Sequence, residues 1–356
     1  MQAVIIAGGK GSRLWPASYK NHPKPFVRMN DGLSLIQKTL LRAGCVSLVR
    51  SIIIVTRHDY VPRIKAEYEE IAHLMPKGVD LSFIEEPFGK NTAASIAAAA
   101  LSLSAKNSED EAMLVLPIDH IIADQEGFNE AVSKAAEIAK NGQENSAGKG
   151  QLVTFGIKPT HAESGYGYIE FSGNEVLGFT EKPSKETAEK YIKHGNFYWN
   201  SGMFCFTART ILQEMHDHCP SVLSTVRRAL ETSKRNVNGD ISLDVSSFSL
   251  VSEVSIDYAL MEKSSNISVI PCDIGWRDVG TWEHFSHQTQ ADAKGNRLRG
   301  DVITHNASNC YVDSNGITIG VVGLNDVAII HTERGLLVIN KNSSEDASAI
   351  YDKTET

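Results

Sequence analysis

At 356 residues the chain is long enough to bury a sizeable core and to hold more than one domain. Apolar residues make up 42% and charged residues 22%, ordinary proportions for a globular protein and far from those of a disordered or fibrous one. The net charge of −8 argues against a broad nucleic-acid-binding surface, so an anionic ligand would be met by local cations and backbone amides.

Val4-Ile5-Ile6-Ala7 forms a short buried strand. Gly8, Gly9 and Gly11 follow as a bare loop. Missing side chains and access to positive φ let backbone N–H groups approach an anion there. Lys10, Arg13 and Lys24 add positive charge, so the stretch reads as a phosphate cradle at the carboxyl end of a first strand. It is not a P-loop, because no Gly-Lys-Ser/Thr follows, and Leu14 stands where the dinucleotide fingerprint needs its third glycine.

Leu33, Ile36 and Leu40 then recur at helical spacing, with Gly44 as the C′ residue. Ser51-Ile52-Ile53-Ile54-Val55-Thr56 reads as a central strand. Pro62 opens a helix whose inner face carries Ile64, Tyr68, Ile71 and Ala72. Val79, Leu81 and Phe83 alternate as a third strand, and Asn91 or Thr92 caps an alanine-rich helix. Met113-Leu114-Val115-Leu116-Pro117-Ile118 is another buried strand, ending in Asp119-His120, and Asp124 caps a helix that ends near Lys140. This alternation predicts an α/β fold with a mostly parallel sheet.

Residues 141–150 are rich in Gly, Ser, Asn and Lys and read as an exposed loop. A strand is expected over 152–157, a strand-entry turn at 164–169, and helix over 208–231, broken at Pro220. A capped helix is expected over 255–262, with Asp257 as a first-turn acid, and 267–271 is the last inner strand. Taken singly, Asp119 and Asp278 read as turn or cap residues, Glu181-Lys182 as a solvated ion pair, and Trp199 and Phe204 as core. From 299 to 340, short β-type runs alternate with Gly, Asn and Asp, and strands this short need neighbours. The polar tail from Ser343 is expected to be loosely ordered.

Gly8-Gly9-x-Gly11-x-Arg13-Leu14 with Pro23-Lys24-x-Phe26 resembles the signature loop of the sugar-1-phosphate nucleotidyltransferases. Leu14-Trp15-Pro16 resembles that of the mannose-1-phosphate guanylyltransferase branch. Ser12 stands where Thr is usual and keeps the hydroxyl; Pro25 stands where Gln is common. Five further segments, in family order, carry the likeness along nearly the whole chain. They are Glu86-Pro87 through Asn91-Thr92, Leu116-Pro117-Ile118-Asp119-His120, Gly165-Tyr166-Gly167-Tyr168 with Glu181-Lys182-Pro183, Trp199-Asn200-Ser201-Gly202, and Trp276-Arg277-Asp278-Val279-Gly280.

The resemblance implies a Rossmann-like, mostly parallel mixed sheet of the GT-A type over 1–290, and a small C-terminal β domain over 291–356 resembling a short left-handed β-helix. It implies GTP and α-D-mannose 1-phosphate as substrates, GDP-mannose and pyrophosphate as products, and Mg²⁺ or another divalent cation as cofactor. Arg13 and Lys24 would be catalytic, and Gly8, Gly9, Gly11, Ser12, Asn91 and Thr92 would hold the nucleotide. Gly167, Glu181, Lys182 and Asn200 would hold the sugar phosphate, and Asp119 and Asp278 the metal. The roles of His120 and Asp257 stay open. The same reaction with another sugar 1-phosphate or NTP is the nearest alternative. A glycosyltransferase would carry Asp-x-Asp, which is absent, and a non-catalytic regulatory subunit would be expected to have lost one of the residues just named.

The five cysteines, Cys45, Cys205, Cys219, Cys272 and Cys310, are scattered at no zinc spacing and read as free thiols in a reducing compartment. The first glycines arrive too early for a signal peptide, and the alanine-rich stretch 93–105 is too short to span a bilayer. A cytoplasmic protein without nucleic-acid or membrane partners is therefore expected, and the short strands and apolar runs of the C-terminal β domain predict a homodimer joined through it. Long bacterial relatives of the family carry a second, phosphomannose isomerase domain; the chain ends where that would begin, so no isomerase activity is expected.

Overall fold

A computed structural model describes residues 1–141, 150–173, 175–237 and 239–354. The loop expected at 141–150 lies, apart from its two end residues, outside them. The chain runs through β1 (Gln2–Ile6), α1 (Leu35–Gly44), β2 (Ser51–Arg57), α2 (Val61–Ile71), β3 (Asp80–Glu86), α3 (Asn91–Ser104), β4 (Ala112–Pro117), β5 (His120–Ile121) and α4 (Gln125–Asn141). It continues with β6 (Leu152–Ile157), β7 (Tyr168–Ser172), β8 (Glu175–Thr180), α5 (Lys185–His194), β9 (Phe197–Thr207), α6 (Ala208–His218), α7 (Pro220–Glu231), β10 (Lys234–Arg235), β11 (Ile241–Ser242), α8 (Val245–Ser249) and β12 (Ile267–Cys272). The last stretch holds β13 (Arg277–Asp278), α9 (Trp282–Ser286), β14 (Arg297–Arg299), β15 (Val302–His305), β16 (Tyr311–Asp313), β17 (Ile319–Val322), β18 (Val327–Thr332), β19 (Gly335–Asn340) and α10 (Ala347–Thr354).

These elements form two compact units. The first comprises Met1–Gly8, Thr39–Ile118 and Ile122–Trp276. Its described strands make one sheet in the order β10-β11-β3-β2-β1-β4-β9-β6-β12-β8-β7. β1 pairs in parallel with β2 and β4, β2 with β3, β3 with β11, and β6 with β12. β9 runs antiparallel between β4 and β6, which makes the sheet mixed. The central strands are unbroken apolar runs because both their faces are covered. α3 is buried along nearly its whole length, and its alanines let it share a core with Ile211 and Met215 of α6 and Val222 and Val226 of α7. Larger side chains at those positions would overpack it.

Local expectations in this unit change at several places. Ala72, expected on the inner face of α2, is exposed in a 3-10 turn that follows the helix. Gly44 is the last residue of α1 and does not take a positive φ; a Cβ there would stand 2.7 Å from Met75 Cε, so the glycine serves packing. Residues 257–261 wind as one π-helical turn instead of a regular helix.

The second unit comprises Gly9–Lys38, Asp119–Ile121 and Arg277–Thr356. Leu14, Trp15, Val27 and Met29 share a core with Val279, Trp282, Tyr311, Ile330, Leu337 and Tyr351. Trp282 Nε1 donates to the carbonyl of Trp15 at 2.7 Å, which ties the N-terminal loop to α9. The short strands stack in parallel as β14-β16-β18 and as β15-β17, and β19 closes antiparallel on β18. Each short strand thus gains the neighbours it needs.

The tail expected to be loosely ordered is instead built. A 3-10 turn over Lys341–Asp346 leads into α10, whose Ala347 and Tyr351 are buried. Two apolar residues four positions apart suffice to pin one helical face, although the composition around them is polar.

Candidate active site

The second unit holds the glycine loop from Gly9 onward together with Asp119 and Asp278. After β1 the chain turns at Gly11, the one glycine of the loop with positive φ, at +75°. Gly8 and Gly9 do not take a positive φ, so of the two freedoms read from the sequence they use the missing side chain. Gly11 serves a second purpose, since a Cβ there would collide with Lys24 Cβ and stand 3.1 Å from Lys24 Cα. Ser12–Leu14 forms a 3-10 turn, and Ser18 Oγ donates to the Gly11 carbonyl. The Lys24 N–H donates to the Lys10 carbonyl, closing the loop on itself.

Lys24 is 6% exposed, and its ammonium meets Asp119 Oδ2 at 2.6 Å. A buried ammonium without such a partner would be strongly destabilising. Burial works to raise the proton affinity of Asp119, but Lys24 and His120 outweigh it and hold the carboxyl well below the usual carboxylate range. β5 pairs antiparallel with β13, setting Asp278 opposite His120, and the Val279 N–H donates to the Asp119 carbonyl at 2.8 Å. The two aspartates expected to act together therefore lie on neighbouring backbone positions. Asp278 also has His284 Nδ1 at 3.7 Å. A Cβ on Gly280 would stand 2.7 Å from Asp278 Oδ2 and 3.3 Å from Arg13 Nη2, so this glycine keeps open the space that both groups face. Arg13 reaches Glu345 at 3.3 Å, and both side chains are well exposed, which makes the pair weak.

The first unit contributes two further clusters. At the head of α3, Asn91 has φ +68° and its Oδ1 accepts from the Thr92 N–H at 2.9 Å. Thr92 Oγ1 accepts from the Ile256 N–H at 2.9 Å. The expected cap by Asn91 or Thr92 is not formed, because the helix already begins at Asn91 and no side chain caps it. Behind this point Glu86 is fully buried, with Ser95 Oγ donating to its Oε1 at 2.6 Å. A Cβ on Gly8 would stand 3.2 Å from Glu86 Oε2. Burial pushes the Glu86 carboxyl up to about 7, with the Ser95 hydrogen bond opposing.

The second cluster joins Gly167, Glu181, Lys182 and Asn200. The Asn200 N–H donates to the Gly167 carbonyl at 2.8 Å. Asn200 Oδ1 accepts from Thr154 Oγ1 and the Gly202 N–H, and its Nδ2 donates to Asp257 Oδ1 at 2.9 Å. Glu181 Oε2 is buried with no hydrogen-bond partner among the described residues. Burial and the neighbouring Asp257 push the Glu181 carboxyl up to about 7, against the pull of Lys182. Lys182 is exposed at φ +46°, with Nζ 4.0 Å from Glu181 Oε1. An acceptor, a donor and a mobile cation suit a polyhydroxy phosphate.

Sequence reasoning assigned no role to Glu86 or Gly280 and left Asp257 open. For Glu86 the available signal was a carboxylate closing an apolar strand; Gly280 and Asp257 carry no comparable local mark.

Groups of three or more potential metal-ligating side chains are absent among the described residues. No described helix is long and apolar enough to cross a membrane. All five cysteines are free.

Against known proteins, the chain matches the nucleotidyl transferase family model over residues 2–295. It is 39% identical over 360 aligned positions to the mannose-1-phosphate guanylyltransferase RfbM of Salmonella typhimurium, covering 98% of this chain and 71% of that protein. It is 36% identical over 360 positions to the alginate biosynthesis protein AlgA of Pseudomonas aeruginosa, with the same two shares. A crystal structure described as mannose-1-phosphate geranyltransferase from Thermus thermophilus superposes with a TM-score of 0.81 at 27% identity, covering 100% of this chain and 99% of that one. A glycine loop closed on a buried lysine, a family model matched over residues 2–295 and relatives matched over 98% of the chain lead to one assignment: the chain belongs to the nucleotidyl transferase family.

Proposed function

We propose that this enzyme makes GDP-mannose and pyrophosphate from GTP and α-D-mannose 1-phosphate. A phosphate oxygen of the sugar phosphate attacks the α-phosphorus of GTP in line; a new O–P bond forms as the bond to the bridging oxygen breaks and pyrophosphate leaves. Such chemistry needs positioning and charge neutralisation more than covalent help. The observation that supports the reading is the β5–β13 pairing, which sets Asp278 opposite His120, the residue after Asp119, in the unit that also holds Arg13 and Lys24.

Arg13 forks across phosphate oxygens, and Lys24 neutralises the transferred phosphate. The backbone of Gly8, Gly9, Gly11 and Ser12 cradles the nucleotide phosphates. Asn91 and Thr92 serve the nucleoside, while Gly167, Glu181, Lys182 and Asn200 serve the sugar phosphate. The donor set of two carboxylates fits a hard divalent ion such as Mg²⁺, which takes few carboxylates besides phosphate oxygens and water. Bound by Asp119 and Asp278, that ion would offset the triphosphate charge and polarise the α-phosphate.

The two parallel stacks of short strands support reading the C-terminal strands as an abbreviated left-handed β-helix. Exposed Ile303, Val322, Leu336 and Val338 support a homodimer through this part, which light scattering of Val322→Asp against the intact chain would test. The reducing cytoplasm suits the free cysteines.

The deciding experiment supplies GTP, mannose 1-phosphate and Mg²⁺ and follows pyrophosphate release. Turnover is expected, and a panel of other NTPs and sugar 1-phosphates should give slower rates. A faster rate with another pair would move the assignment to that pair.

A further inference from the structure

Asp257 has no part in the mechanism above, yet it sits at the centre of the sugar cluster. Asn200 is nearly saturated by protein partners. Its Oδ1 takes two donors, and one of its two Nδ2 hydrogens goes to Asp257 Oδ1. A single N–H of the amide therefore remains for a ligand, and the Asp257 bond decides where it aims. Glu181 Oε2 is the complementary group: buried, unpartnered among the described residues and an acceptor. Both border the space left by the missing side chain of Gly167, where a Cβ would strike Glu181 Oε2 and stand 3.5 Å from Asn200 Nδ2.

We infer that Asp257 is a positioning residue for sugar recognition: it aims the remaining N–H of Asn200 and sets its charge beside the Glu181 carboxylate at the opening kept by Gly167. The pair then offers one donor and one acceptor to hydroxyls of the sugar. This inference rests on the reading of the cluster as the sugar site.

The charge environment makes the role visible in pH dependence. Glu181 faces Asp257, Lys182 and Glu262, and Glu262 Oε1 accepts from the Glu181 N–H at 2.8 Å. Asp257 faces Lys182, with Asn200 and Ser255 as neutral hydrogen-bond donors, and the Tyr258 hydroxyl lies near all three acids. Burial and the Asp257 charge both favour the protonated Glu181, and the ionised form is the better acceptor of a hydroxyl. The KM for mannose 1-phosphate should therefore fall as pH rises through about 7 in the native enzyme.

The test measures KM for both substrates, and kcat, across pH in the full chain and in Asp257→Ala, Asp257→Asn, Asn200→Ala and the Asp257→Ala/Asn200→Ala pair. Asp257→Ala should raise the mannose 1-phosphate KM by about tenfold and leave the GTP KM within about twofold, as for a lost hydrogen bond in a binding site. The double variant should be no worse than the worse single one, since both lose the same donor. Asp257→Asn keeps an acceptor for Asn200 and so should restore most of the affinity. Having lost the charge, it should move the inflection to lower pH by about one unit. Comparing variants on one substrate cancels the titration of the substrate's own phosphate.

If the effects of Asp257→Ala and Asn200→Ala multiply, or the inflection stays in place in Asp257→Asn, the inference is overturned. If Asn200→Ala itself leaves the sugar KM unchanged in an enzyme that turns over GTP and mannose 1-phosphate, the sugar-site reading fails first and takes the inference with it. A melting temperature equal to that of the native chain separates both outcomes from misfolding.

Discussion

Replacing Glu86 by glutamine should stabilise the protein, and by an amount that grows with pH. Glu86 is fully buried at the end of β3, with the Ser95 hydroxyl as the hydrogen-bond donor to its carboxyl. Burial disfavours its charged form and moves the carboxyl from an ordinary value of 4.5 to about 7. Below the ordinary value both folded and unfolded chains hold the proton, and Glu86 contributes no pH dependence. As pH rises through the interval, the unfolded chain releases the proton while the folded chain keeps it, so stability falls. Above about 7 the full penalty is present. At about 1.4 kcal/mol for each tenfold change in proton affinity, it is about 3 kcal/mol. Glu86→Gln keeps the shape and an acceptor for Ser95 but has no charge to bury. Urea unfolding of both proteins at several pH values from about 5 to about 8 should show the stability gap widening toward that figure. A gap that is constant with pH, or that narrows as pH rises, would refute the argument that Glu86 is buried against its charge.

Three further outcomes follow from the loop and the acidic pair. Gly11→Ala places a methyl against Lys24 at a positive φ, so it should cost about 1–2 kcal/mol of backbone strain in thermal melting and reduce kcat further by displacing the lysine; a wild-type rate would count against that geometry. Arg13→Ala and Lys24→Ala should each lower kcat in pyrophosphate release by about 10²-fold or more. Only Lys24→Ala should also lower the melting temperature, because the Arg13–Glu345 pair is exposed whereas Lys24 is buried on Asp119. Asp278→Asn should leave the melting temperature nearly unchanged, abolish activity, and regain part of it at high Mg²⁺. Wild-type rates and Mg²⁺ dependence in both Asp278→Asn and Asp119→Asn would move the metal site elsewhere.

Residue patterns alone determined the α/β alternation, because unbroken apolar runs and helical spacing are local signals of how a segment is buried. They also determined the glycine and cation content of the first loop. Tertiary structure alone decided which of these residues meet. Lys24 and Asp119 are 95 positions apart, and Asn200 and Asp257 are 57 apart; no periodicity encodes such distances. β5 and β13 are two residues each, too short to leave a pattern, yet their pairing brings Asp278 opposite His120, next to Asp119 in the chain. The glycines make the same point. Gly11 needs a left-handed backbone, whereas Gly167 and Gly280 are needed for the volume a side chain would take from Glu181 and Asp278. In sequence the three look alike, and only the packed neighbours distinguish them. α10 is the converse case: its polar composition reads as a loose end, and two buried side chains suffice to fix it, because burial acts on particular atoms and not on average hydropathy.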